Sequence, residues 1–319
     1  MTAAGALPPL RYPRLLHALP GYRWWKPLVA FVAAAFLWIA FQVVFAGAGV
    51  ILELLRGGLR TDTPQHLIAD VTRFLLIDAG NPLSLIVGLG GVATLLPAVL
   101  LAYRIVGLRP LSVLRSVAFR LRWGWMALCL VPALLITLIA NGVGLFLLPL
   151  LEGGGVLVAP TVPLGSFLLC ALIVVVLTPI QAAAEEFAFR GLVLQMFGSW
   201  IRPVLITIPL AAVLFAAAHT QYIGWATVDV FVFALVAGYL TWRTGGIEAG
   251  IALHAANNTI AFLTLASSIT GTTRNTGGAG DLLSLLVTIV TMAIYVLLVE
   301  WMARRRGIRI VLEPLAGNS

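Results

Sequence analysis

Apolar residues in this chain come in long runs, separated by short segments that hold nearly all of the charge. Runs of about 20 apolar residues match the length of a membrane-spanning helix. Eight can be laid out: 27–55, 82–103, 125–151, a fourth starting near Pro163, a fifth reaching His219, then 227–242, 246–265 and 282–302. The third is expected to end in Glu152 and a Gly-rich loop, and residues 56–81 read as a charge-balanced loop. Between the second and third runs, Leu111, Leu114, Ala118 and Leu121 share one helical face among arginines, with Pro110 suited to a first turn. That pattern predicts an amphipathic helix lying on the membrane surface over 104–122. Residues 266–281, rich in Ser, Thr and Gly, read as a flexible loop.

Composition agrees with the pattern. The chain has 319 residues, 61% hydrophobic and 10% charged, with mean hydropathy +1.04, which excludes a soluble domain and fits an all-α polytopic membrane protein. A net charge of +8 would suit nucleic acid, but the arginines flank the apolar runs, where positive charge marks the cytoplasmic side. Nucleic acid is therefore excluded as a partner. With both termini cytoplasmic, 15 basic residues face the cytoplasm and 4 (Arg56, Arg60, Arg73, Arg274) the opposite side, with Arg190 inside a span. The expected organisation is a basic segment at 1–26, a helix bundle at 27–302 in a cell membrane, and a basic tail at 303–319. The first apolar run is too long for a signal-peptide core and is expected to be retained. Cys129 and Cys170 lie in apolar runs as buried thiols, and no disulfide or CxxC zinc pattern is present.

One stretch breaks the pattern. In the fourth span, residues 182–191 place Glu185, Glu186 and Arg190 among alanines and phenylalanines. An ionised group inside a membrane costs about 2.5–3.5 kcal/mol on insertion scales, so such groups pair and mark functional sites. Glu186 and Arg190 are i and i+4 and can pair. Glu185 lies about 100° round the helix and stays free for chemistry. A purely structural ion pair is the bland alternative.

Two further spans carry polar groups. Phe215 and His219 end the fifth, and His254 and Asn258 share a face of the seventh, while Asn257 turns aside. Counted from a turn near Ile201, Glu185 lies 16 residues back and His219 18 forward, which at 1.5 Å per residue puts them within ~3 Å of one level. His254 lies only ~13 Å from its own turn near Gly245. The fourth and fifth helices must then project roughly 10 Å further, or join through an irregular turn. The expectation is a cytoplasm-facing intramembrane cavity.

These residues resemble a known family of intramembrane proteases, the CAAX proteases and bacteriocin-processing enzymes. EExxxR appears as Glu185, Glu186 and Arg190, FxxxH as Phe215 and His219, and HxxxN as His254 and Asn258. The segment Gly238-Tyr239-Leu240-Thr241-Trp242-Arg243-Thr244-Gly245 also resembles the family's approach to its third motif. The resemblance spans about 168–265 and implies an endopeptidase acting on a membrane-associated peptide or protein, with lipid as its surroundings. Its catalytic set would be Glu185, Glu186, His219, His254 and Asn258. Burial raises carboxylate pKa values toward the range a general base needs, and the base role falls to Glu185. His219 would shuttle the proton, His254 and Asn258 would donate to the oxyanion, and Arg190 and Phe215 would orient. A second arrangement uses Glu185, His219 and His254 as zinc ligands with an open position for water. No HExxH helix is present, so zinc and metal-free chemistry both stay open. Two other readings compete: a proton-coupled transporter with Glu185 and Glu186 as ion sites, and a non-catalytic immunity or scaffold protein.

Overall fold

A computed structural model describes residues 8–147, 150, 154 and 157–313. The expected loop at Glu152 and the outermost residues of both terminal segments lie outside these. Among the described residues the regular structure is helical, apart from one two-stranded ribbon. The helices are α1 (Lys26–Leu55), α2 (Pro64–Leu75), α3 (Pro82–Ala93), α4 (Leu95–Val106), α5 (Trp123–Gly142), α6 (Leu164–Glu186), α7 (Leu194–Trp200), α8 (Val204–Ala217), α9 (Trp225–Thr244), α10 (Glu248–Ala266) and α11 (Leu282–Arg305). Helices dominate because lipid offers no partner for a bare peptide group, and a helix satisfies its own.

Among the described residues seven segments are long and apolar enough to cross a membrane, with α3–α4 and α6–α7 each forming one continuous unit. The expected fifth span is α8, only 14 residues, which rises ~21 Å and falls short of a ~30 Å hydrocarbon core. Its partner Leu164–Trp200 runs 37 residues, far more than a crossing needs, while the matching projection expected of the fifth helix is absent from this short α8. The chain is an all-α, multi-pass membrane protein.

Helix α10 is the pivot. Over half of its apolar window is buried, 56%, and it packs against α5 and α6. Ala249, Gly250, Ala252, Ala255 and Ala256 are buried along it, and such small side chains let neighbouring backbones approach closely. Tyr295 of α11 locks this centre by donating to the carbonyls of Cys129 on α5 (3.2 Å) and Ala249 (3.1 Å).

Alternating spans gather the loops at two ends. At one, β1 (Leu10–Arg11) pairs antiparallel with β2 (Val311–Leu312), and Ser116 bridges Gly246. At the other, Asp78 bridges Arg274 and Tyr222 bridges Gly278. The first end holds the arginine-rich loops and is plugged with side chains. Tyr12, Leu15, Leu16, Leu108, Val113, Leu114 and Val117 are all 0% exposed there.

That plug corrects the expected surface helix. Residues 104–122 complete α4, form one short 3-10 turn at Leu111–Leu114 and continue as irregular chain. Val117 donates to Gly245 O (2.8 Å) and Ile247 to Arg115 O (3.1 Å), so this backbone pairs with the α9–α10 turn instead of with itself. The apolar positions face inward because they close the bundle, and no lipid-facing stripe results. The loop expected at 56–81 contains α2, whose N-terminus is capped by Thr63 Oγ1 accepting from His66 N at 3.2 Å.

Candidate active site

Three helices deliver the polar groups. The α6 helix ends in Glu185 and Glu186 and passes into a π turn, Phe187–Val193, a form found mostly as local bulges at functional sites. His219 follows the end of α8, and α10 presents His254 and Asn258. Glu186 and Arg190 are buried, with side chains 0% and 3% exposed, and pair through Arg190 Nη1 to Glu186 Oε1 at 2.8 Å. Arg190 Nη2 donates to Ala234 O on α9 (3.3 Å). The guanidinium lies 4.6 Å from the Phe215 ring centroid and 5.8 Å from that of Phe233, a desolvated cation–π arrangement.

Glu186 also fixes a histidine. His254 Nδ1 lies 2.9 Å from the same Oε1, so Nδ1 carries the hydrogen and Nε2 is turned toward Glu185 Oε2 at 3.3 Å. His219 Nδ1 lies 2.8 Å from Phe215 O, which likewise leaves its Nε2 facing Glu185 Oε2, at 4.0 Å. These tautomers follow from the hydrogen-bond partners. Glu185 Oε2 is buried and accepts no hydrogen bond from the protein. One carboxylate oxygen and two imidazole nitrogens therefore converge on one small volume. Water, which both donates and accepts, is the smallest molecule that satisfies such a set.

An amide chain holds Glu185 from its other oxygen. Gln181 Nε2 donates to Glu185 Oε1 (2.7 Å), Asn258 Nδ2 to Gln181 Oε1 (3.2 Å), and Asn257 Nδ2 to Asn258 Oδ1 (3.2 Å). Asn257 thus joins the site, where the sequence reading turned it aside. Gln181 was missed altogether, although its place four residues before Glu185 was a readable signal. Asp229, an acid near the start of the sixth apolar run, was also passed over. It lines the same cavity, and its Oδ1 is buried without a hydrogen-bond partner.

The cavity has a volume of about 470 Å³, within the range of ligand sites. Beyond Glu185, His219 and His254 it is lined by Phe215, Phe233, Phe262 and Met292 and by amides of Asn141, Asn257, Asn258 and Gln221. Tyr222 stacks beside His219, with ring centroids 6.4 Å apart and planes at 19°, and burial raises the pKa of its hydroxyl, which keeps it a proton donor. The cavity extends from Glu185 toward Ile77, Gln221, Tyr222, Thr270 and Asn275, the end opposite both termini. The cavity and the terminal segments therefore lie at different ends of the bundle, where the sequence reading placed both on one side. The depth count placed Glu185 at the level of His219 but had no means of seeing that the terminal segments plug the nearer exit.

The zinc arrangement does not fit these residues as placed. Tetrahedral ligands about 2.0–2.1 Å from an ion sit about 3.4 Å apart; Glu185 and His254 match this at 3.3 Å, while Glu185 and His219 are 4.0 Å apart. Among the described residues no group of three His, Cys, Asp or Glu side chains could hold an ion.

Close packing sets one stability prediction. A Cβ at Gly250 would come within 2.8 Å of Glu186 Oε2, a buried oxygen without a partner. Gly250→Ala should cost about 1–3 kcal/mol by overpacking and lower the thermal midpoint in detergent. An unchanged midpoint would show that this approach is not tight.

Fold and geometry define a multi-pass membrane protein with a carboxylate–histidine centre sunk between its helices. Residues 164–260 match the family described as Type II CAAX prenyl endopeptidase Rce1-like, so the resemblance carried by the three motifs holds over this segment, which is that of a membrane protease family. The chain is also 36% identical over 104 residues to an uncharacterized protein of Bacillus subtilis (strain 168), YyaK. That alignment covers 30% of this chain and 35% of the relative. No solved structure matches the chain.

Proposed function

We propose that this protein is an intramembrane endopeptidase that cuts a peptide bond of a membrane-associated protein or peptide, with water activated by Glu185. The carrying observation is the buried, unpartnered Glu185 Oε2 facing two imidazole Nε2 atoms at 3.3 and 4.0 Å. Glu185 takes a proton as the water oxygen bonds to the scissile carbonyl carbon. The C–N bond then breaks, and that proton passes to the leaving amine, directly or through His219 Nε2. Asn258 has one N–H engaged with Gln181 and a second free for the oxyanion. His254, held at Nδ1 by Glu186 Oε1, presents Nε2 to the same volume and donates to the oxyanion whenever that nitrogen carries a hydrogen. Glu186 and Arg190 hold His254 in register.

The ion-site reading needs carboxylates free to exchange a cation, whereas Glu186 Oε1 is held by both Arg190 and His254. No step is routed through zinc. The termini and the arginine-rich end are assigned to the cytoplasm by the distribution of basic residues, with lipid and a membrane-bound peptide as partners and no role for nucleic acid.

The test is to compare protein N-termini in membranes from cells that express the chain and cells that lack it. New termini in membrane-associated proteins are expected only with expression, and identical sets would overturn the reading. Metal analysis of the purified protein, with activity before and after chelation, is expected to show no stoichiometric zinc and unchanged turnover. Bound zinc lost together with activity would replace the metal-free mechanism.

A further inference from the structure

We infer that Asp229 is a specificity residue of the cavity: its carboxylate receives a cationic group of the peptide, a lysine or arginine side chain or a free amino terminus, within about three residues of the bond that is cut. The bond belongs to the protease reading, on which this inference rests, while the cation subsite stands on the cavity wall itself.

Asp229 faces the cavity by its place on α9. Ala226, Asp229, Val230 and Phe233 all line it, at the i, i+3, i+4 and i+7 positions of one helical face. The Oδ1 atom of Asp229 is buried and has no hydrogen-bond partner, and burying a carboxylate oxygen in that way costs free energy. Helix capping does not account for it, because Asp229 lies beyond the first turn of α9, which carries no acid. Nor does an ion pair within the protein. Among the described residues no Lys or Arg lines the cavity; Arg190 is bound to Glu186 at 2.8 Å, and Arg274, next to the lining residue Asn275, to Asp78 at 3.3 Å. Thr288 of α11 offers its hydroxyl to the carboxylate, but a neutral partner leaves the charge uncompensated. A cation brought by the ligand compensates it and adds a charge-assisted hydrogen bond.

The distance from the reacting centre sets where that cation lies in the peptide. Phe233, one turn of α9 from Asp229 and so ~5.4 Å along it, stands edge-on to His254 with ring centroids 5.0 Å apart. Asp229 is then on the order of 10 Å from the His254 ring, about three residues of extended peptide. Phe233 and Met292 in the same wall offer apolar surface to the aliphatic stem of a lysine or arginine.

The experiment measures peptide binding to the full chain in mild detergent, with Glu185→Gln as the parent protein. That substitution removes the other carboxylate of the cavity wall and prevents turnover. The probes are short apolar peptides, capped at both ends, with one lysine moved from position to position, and matched peptides with norleucine or glutamate in its place. A norleucine peptide with a free amino terminus tells the two sources of positive charge apart. The best cationic probe is expected to bind about 10- to 100-fold more tightly than the capped norleucine peptide, the range for a hydrogen bond to a charged group, and the glutamate peptide more weakly than either. Adding Asp229→Asn should abolish that preference while the norleucine peptide still binds, and Asp229→Glu should keep it. Equal affinities, no detectable binding of any cationic probe, or a preference that survives Asp229→Asn would overturn the inference. Only variants that elute as the parent protein does are scored, and if Asp229→Asn does not fold, the comparison of lysine with norleucine on the parent decides alone. Binding is read without turnover, so its failure leaves Glu185 standing as the base, and a protein that shows the preference but generates no new N-termini in membranes sinks the protease reading alone.

Discussion

Glu185→Gln is expected to lower kcat by about 10²–10⁴-fold, the usual contribution of a general base, with little change in thermal midpoint. Glutamine keeps an oxygen to accept from Gln181, which now bonds Glu185 Oε1 at 2.7 Å, but it cannot take a proton from water. His219→Ala should lose a comparable factor, and the double variant little more than either alone, because groups that act on one water are not additive. Gln181→Leu offers a graded comparison: it removes the amide between Asn258 and Glu185 without touching the base, so kcat should fall while the requirement for Glu185 persists. If Glu185→Gln retains wild-type turnover, the convergence of two imidazoles on Oε2 has no catalytic meaning, and the base lies elsewhere.

The parts of this site that were legible in the sequence are those where lipid makes polar residues expensive. Glu185, Glu186, Arg190, His219, His254 and Asn258 stood out against apolar runs, and the structure brings them into one cluster. The i, i+4 spacing of Glu186 and Arg190 anticipated their 2.8 Å contact, since neighbours on a helix face meet whatever the tertiary fold. What spacing does not encode is which residue serves whom. His254 turned out to be held by Glu186, and Asn258 to reach Glu185 through Gln181, because those contacts run between helices. The segment at 104–122 misled for a related reason. A helical face of leucines among arginines reads the same whether it lies on lipid or plugs a bundle, and only the neighbouring Gly245–Ile247 turn, pairing with Val117 and Arg115, decides between them.

Arg122→Ala is expected to destabilise the fold by about 3–5 kcal/mol, the usual result of stripping one partner from a buried pair. The spacing rules gave no hint of this pair, since its members are 126 residues apart. Arg122 grips both oxygens of Glu248 at 2.8 and 2.7 Å and also donates to Thr244 O (2.9 Å) and Arg309 O (3.0 Å). One side chain thereby ties the start of α5, the end of α9, the start of α10 and the C-terminal segment. Glu248 Oε2 lies so near Gly246 that a Cβ there would collide with it, so Gly246→Ala should act in the same direction. The effect should fall on folding and not on chemistry. His254 lies six residues along α10 from Glu248, ~9 Å away, and the Arg122→Ala protein that does fold should keep its turnover per molecule. Arg190→Ala provides the contrast, because its partner Glu186 also holds His254, and it should lose yield and turnover together. Yield and midpoint in mild detergent, with kcat normalised to folded protein, separate the two. Should Arg122→Ala fold normally but lose its turnover, the pair would belong to the catalytic machinery, and the arginine-rich end could no longer be described as a passive plug.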